Sequence, residues 1–130
     1  MLKVWITGAS GHVGSALNKL LDRSKYQLLN TDKEDIDVTD LEQVTHYARL
    51  HRPDVVINCA SLTDVAYCEE HVDEAYNVNA LGVRNVASAV EEISGKLIHM
   101  STDDVFCANS SRPYNEFDKT HPKSIYGKSK

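Results

Sequence analysis

Apolar and polar positions change period in blocks along the chain, and each block predicts its own element. "LKVWIT" (2–7) is short, β-branched and apolar, as a parallel strand buried on both faces should be. Val13, Ala16, Leu17, Leu20 and Leu21 then recur at i, i+3, i+4, i+7 and i+8, which predicts a helix with one buried face. "YQLLNTD" (26–32) reads as a second strand, and "DIDV" (35–38) as a short third strand or extended edge. Thr39 followed by Glu42 has the form of a capping box, so a helix is expected from about residue 40 to 51, ended by Arg52-Pro53. "DVVINCA" (54–60) predicts another buried strand, with a helical turn near 64–71 after it. Val78, Leu81, Val86, Val90 and Ile93 mark one side of a long helix over 73–93, stopped by Gly95. "KLIHMST" (96–102) is the last strand, and 107–124 reads as loop.

Strands alternating with helices predict an α/β fold, a doubly wound parallel sheet with helices on both faces. Five strand candidates are present, the chain ending after the fifth, and such sheets bind ligands at the carboxyl ends of their strands. The 130 residues suffice for one domain, 1–130, and not for two ordinary ones. A net charge of −5 with no basic stripe argues against nucleic acid or an anionic membrane surface as partner. No signal peptide or membrane-length apolar run is expected. Cys59, Cys68 and Cys107 are odd in number and form no C-x-x-C, which reads as reduced cytoplasmic thiols. The six histidines are scattered without metal-ligand spacing, so no metal site is expected.

The candidate chemistry begins at "TGASGHVG". Gly8, Gly11 and Gly14 follow a strand and open an amphipathic helix, in a G-x-x-G-x-x-G spacing. Gly8 allows a tight turn, Gly11 lets a diphosphate approach the backbone, and Gly14 lets the helix pack closely. The helix N-terminus, at His12 and Val13, offers unpaired N–H groups to phosphates. This is the pattern of a Rossmann-type NAD(P)-binding domain. Asp32 lies 18 positions after Gly14, close to the roughly 20-residue offset of a ribose-binding acid. Its carboxylate suits a free 2′-hydroxyl, giving a slight lean to NAD over NADP, which Lys33 beside it softens.

Seven segments in order extend that pattern: "TGASGHVG" (7–14), "DVTD" (37–40), "RPDVVINCAS" (52–61), "NVNALGVRNVA" (77–87), "STDDVF" (101–106), "RPYNEFD" (112–118) and "YGKSK" (126–130). On these the chain resembles the extended short-chain dehydrogenase/reductase family, on its dTDP-4-dehydrorhamnose reductase branch. The resemblance implies reduction of the 4-keto group of a nucleotide-linked deoxysugar with NAD or NADP, in dTDP-rhamnose biosynthesis. It implies that Asp37 and Val38 hold the adenine and that Cys59, Ala60 and Ser61 line the cofactor cleft. Asn79 would support the active-site proton network, Thr102 would hold the substrate carbonyl, and Tyr126 would be the catalytic acid. Lys130 would be its partner and would also bond the nicotinamide ribose.

Those residue types suit the chemistry. A keto reduction adds a hydride to carbon and needs a proton for the developing alkoxide, and an ammonium near a phenol assists that transfer. Lys130 follows Tyr126 by four residues, so on a helix they share a face. Two departures from the family pattern bear on the substrate: Asp104 replaces an aromatic residue, and Ala108 stands where a turn glycine is usual. Family members also continue past the Tyr-x-x-x-Lys helix with a substrate-binding portion of comparable size. The chain is therefore expected to be the cofactor-binding part of a longer reductase, inactive by itself, with a last helical turn that frays. A homodimer is compatible with it. The competing readings are a non-catalytic or regulatory module of the same fold, and a sugar-nucleotide epimerase or dehydratase.

Overall fold

The computed structural model describes all residues, 1–130. Its elements in order are β1 (Leu2–Thr7), α1 (His12–Leu20), β2 (Tyr26–Thr31), α2 (Leu41–His51), β3 (Val55–Asn58), α3 (Val65–Glu70), α4 (Val72–Tyr76), a π turn (Asn77–Leu81), α5 (Gly82–Glu92), β4 (Lys96–His99), a 3-10 turn (Asp103–Val105) and α6 (Ile125–Ser129). The four strands form one parallel sheet in the order β2-β1-β3-β4. Successive crossovers leave β1 in opposite directions, so the order reverses between β1 and β3. A crevice opens at that switch point, beyond the strand ends.

Trp5, Val44, Ala48, Val56, Val86, Val90 and Ile93 form the larger core, between the sheet and helices α2 and α5. Val4, Ile6 and Ile57 alternate to the opposite face, where Leu17 and Leu21 of α1 and Leu28 of β2 pack on them. Each fully buried valine or isoleucine contributes about 1.5–3 kcal/mol relative to exposure. β1, buried on both faces, is the spine of the molecule.

The structure corrects the sequence reading at several points. The expected third strand at 35–38 is a turn, leaving four strands instead of five. Its aspartates satisfy the backbone locally: Asp35 accepts from the Asp32 N–H, and Asp37 accepts from both the N–H and the hydroxyl of Thr39. Such side-chain bonds compete with a sheet ladder. Because Thr39 is engaged there, Asp40 caps α2 instead, accepting from the Gln43 N–H at 3.1 Å. The long helix is formed, but a π turn interrupts it. Leu81 is exposed, and Asn79 and Gly82 occupy the inward positions instead. A Cβ on Gly82 would lie 2.9 Å from Val38 Cγ2, which explains the small residue. On α1 Gly14 and Leu17 turn inward, as does Leu21 just after it, while Val13 and Leu20 are exposed. Ser94, not Gly95, takes the left-handed position after α5.

Candidate functional site

Gly8 ends β1 with φ +60, and a Cβ there would lie 2.8 Å from the Ala60 nitrogen. The loops after β1 and β3 therefore touch, as only glycine permits. A Cβ on Gly14 would lie 2.4 Å from the Gly8 carbonyl oxygen, so α1 packs directly on its own loop. Gly11 caps α1 without a side-chain bond. The N–H groups of His12, Val13 and Gly14 consequently have no partner within the protein. These orphan donors and the helix dipole suit a diphosphate.

Two adjoining cavities lie over this loop, of about 460 and 400 Å³. Gly8, Gly11, Cys59 and Ser61 border both. The first extends over Asp32, Asp37, Val38 and Ala60, and the second over His12, Val13, Gly14, Tyr126 and Lys130. Nearly all the sequence-predicted residues thus converge on one crevice. Asp32 does two things there: its Oδ1 accepts from the Ser10 N–H at 3.0 Å, and it borders the first cavity. Asn85, whose Nδ2 donates to the Val38 carbonyl, fixes the backbone at that residue.

Lys130 is half-buried, and its Nζ donates to the Met100 carbonyl at 2.7 Å. Burial pushes its pKa below the usual lysine value, and the Cys59 thiol partly opposes that shift. Burial raises the Cys59 pKa, with the nearby ammonium pulling the other way. Burial first, and then the Lys130 charge, lowers the pKa of His99. His99 ends a row of side chains across the strand ends: the Thr7 hydroxyl donates to Asn58 Oδ1 at 2.6 Å, and Asn58 Nδ2 lies 3.3 Å from His99 Nδ1.

Two predicted site residues lie outside both cavities. The Thr102 hydroxyl accepts from the Asp104 N–H at 3.2 Å and caps the 3-10 turn. Asn79 is buried, and its amide bonds the Leu62 backbone and the Ser129 hydroxyl. The sequence reading missed Glu74 and Leu62 at the first cavity and Met100 at the second. Glu74 and Val78, four residues apart on one helix face, carried a signal; Leu62 and Met100 carried none. No group of three or more His, Cys, Asp or Glu residues is placed to hold a metal ion. No helix is long and apolar enough to cross a membrane.

The family described as "RmlD substrate binding domain" matches residues 2–130. The chain belongs to this family. It is 38% identical over 130 residues to the spore coat polysaccharide biosynthesis protein SpsK of Bacillus subtilis, covering 100% of the chain and 46% of that protein. It is 40% identical over 131 residues to a dTDP-4-dehydrorhamnose reductase of Aggregatibacter actinomycetemcomitans, covering 100% of the chain and 45% of the relative. A dTDP-4-dehydrorhamnose reductase from Bacillus anthracis, solved in complex with NADP, superposes with a TM-score of 0.97 at 39% identity. That match covers 99% of this chain and 46% of the other. The chain thus spans less than half the length of the RmlD-family relatives it matches.

Proposed function

We propose that the chain is the cofactor-binding half of an NAD(P)-dependent reductase acting on the 4-keto group of a nucleotide-linked deoxysugar. The observation that carries this reading is the sharing of one cavity by the orphan amides of α1 and the Tyr126–Lys130 pair. A diphosphate on the amides would lie beside the only tyrosine and lysine bordering that cavity. The relatives' names supply the sugar class.

The residues fit the dinucleotide, because the glycine loop is too tight for any side chain at Gly8 or Gly14 and leaves its donors free. Asp37 and Val38 would hold the adenine, Asp32 the adenosine ribose, and His12 to Gly14 the diphosphate. When bound, the nicotinamide supplies the hydride. Tyr126 delivers the proton to the carbonyl oxygen, and Lys130, fixed by Met100, presents its ammonium to the tyrosine and the nicotinamide ribose. Thr102 would hold the carbonyl by donating its O–H, which faces Asp103 Oδ1 at 3.5 Å, while its oxygen keeps accepting from the Asp104 N–H. The sugar would be held by a further portion of the reductase.

NAD is the preferred form in this reading. Four carboxylates (Asp32, Glu34, Asp37 and Glu74) border the first cavity, against the single ammonium of Lys33. The Tyr67 hydroxyl donates to Glu74 at 2.7 Å and fixes it in place. A 2′-phosphate would add charge of the same sign. Titration of the chain with NADH and NADPH, followed by nicotinamide fluorescence, tests both points. Saturable binding is expected, tighter for NADH; no binding of either would overturn the reading.

A further inference from the structure

Ser129 lies on α6 between Tyr126 and Lys130, and it is only 3% exposed. Its hydroxyl donates to the Tyr126 carbonyl at 2.9 Å and stands 3.0 Å from Asn79 Nδ2, from which it accepts. Asn79, 1% exposed, also donates to the Leu62 carbonyl at 2.9 Å and accepts from the Leu62 N–H at 2.8 Å. Leu62 borders the first cavity, and Tyr126 and Lys130 border the second. One buried run of hydrogen bonds therefore joins the two cavities, through the π turn.

α6 is held to the rest of the fold by several side-chain and backbone bonds, that of Ser129 among them. Its other anchors are the Ser124 cap, Glu69 Oε1 accepting from the Ile125 N–H, and the Lys130 contact with Met100. The first two hold the start of the helix, and the third is the lysine itself. Ser129 is the residue of α6 that bonds the buried Asn79 side chain of the π turn. The π turn has a reason in this arrangement, since it carries the Asn79 side chain that reaches both Leu62 and Ser129.

We propose that Ser129 is a positioning residue. Through Asn79 it sets Tyr126 and Lys130 at a fixed place relative to the Leu62 loop, and so aligns the nicotinamide end of the site with the adenosine end. This rests on the cofactor reading above. Removing the hydroxyl leaves a buried Asn79 N–H without a partner and breaks the bond between α6 and the π turn. The adenosine and diphosphate contacts do not involve α6.

The test compares NADH with ADP, which lacks the nicotinamide and its ribose. Ser129→Ala is expected to weaken NADH on the order of tenfold, the worth of one lost buried hydrogen bond, and to leave ADP unchanged. Ser129→Thr, which keeps the hydroxyl, should restore NADH affinity. A Ser129→Ala chain that binds NADH normally, or loses NADH and ADP equally, overturns the proposal. In the unsubstituted chain the amide resonances of Ser129 and Lys130 should shift with NADH and not with ADP. That measurement stands even where the alanine variant fails to fold, and absence of an NADH-specific shift overturns the proposal too. A chain that binds neither ligand overturns the cofactor reading and this one with it, whereas ADP binding with no Ser129 effect removes this one alone.

Discussion

Ala108 holds φ 55, a left-handed geometry that its Cβ disfavours by roughly 1–2 kcal/mol. The sequence reading places Ala108 where a turn glycine is usual; the chain bends there, and alanine bears the strain. Ala108→Gly should therefore stabilise the fold by about 1 kcal/mol, after the added freedom of the unfolded chain is subtracted. Denaturant melts will show the midpoint rising with an unchanged slope. His99 sets a second expectation at this scale. Its folded pKa lies below its unfolded value, so the unfolded chain takes up its proton first as pH falls. Stability from this group is complete above about pH 6.5 and is lost as pH drops from there toward the folded pKa. His99→Gln should lose less melting temperature between pH 7.5 and about pH 5 than the unsubstituted chain does. Neither effect was legible in the sequence, because one depends on a backbone angle and the other on burial first and then on a lysine 31 positions away.

Elements were legible wherever periodicity and burial agree. β1 satisfies both, with Trp5 and Ile6 fully buried on opposite faces. "DIDV" has strand-like alternation, yet its aspartates and Thr39 close local rings that compete with a ladder. The steric roles of Gly8 and Gly14 were legible because that constraint needs no partner beyond adjoining loops. Gly14→Ala should cost about 2 kcal/mol or more, since the new methyl meets backbone that cannot rotate away. It should also weaken nucleotide binding at least tenfold by moving the α1 amides. A variant that melts and binds as the parent does would show that α1 can slide. The π turn escaped detection because an i, i+4 pattern does not report one extra residue per turn.

Across the whole molecule, charge is distributed unevenly about the crevice. The four carboxylates lie at the first cavity, while His12 and Lys130 face the second. A dinucleotide would lay its diphosphate against the α1 amides and keep its 2′-position near the acidic end. NADH should accordingly bind about tenfold tighter than NADPH at low salt. The gap should narrow as salt screens the exposed carboxylates, over a Debye length of about 10 Å at 0.1 M. Asp32→Asn keeps an acceptor for Ser10 while removing one charge, and it should narrow the gap further. Equal affinities at all salt concentrations would show that the carboxylates do not discriminate.

The contact between Gly8 and Ala60 has a mechanical consequence. With less than 3 Å between a would-be side chain and the opposite loop, the floor of the crevice is a single stiff plate. The parallel ladder that pairs Val4 with Val55 through Thr7 with Asn58 also resists hinging between β1 and β3. Gating of the crevice is then left to its two flanks: the polar turn at 32–39 on one side and α6, which bears Tyr126, on the other. Both flanks are tied down by side chains more than by sheet, so bound nucleotide would tighten them while the floor stays still.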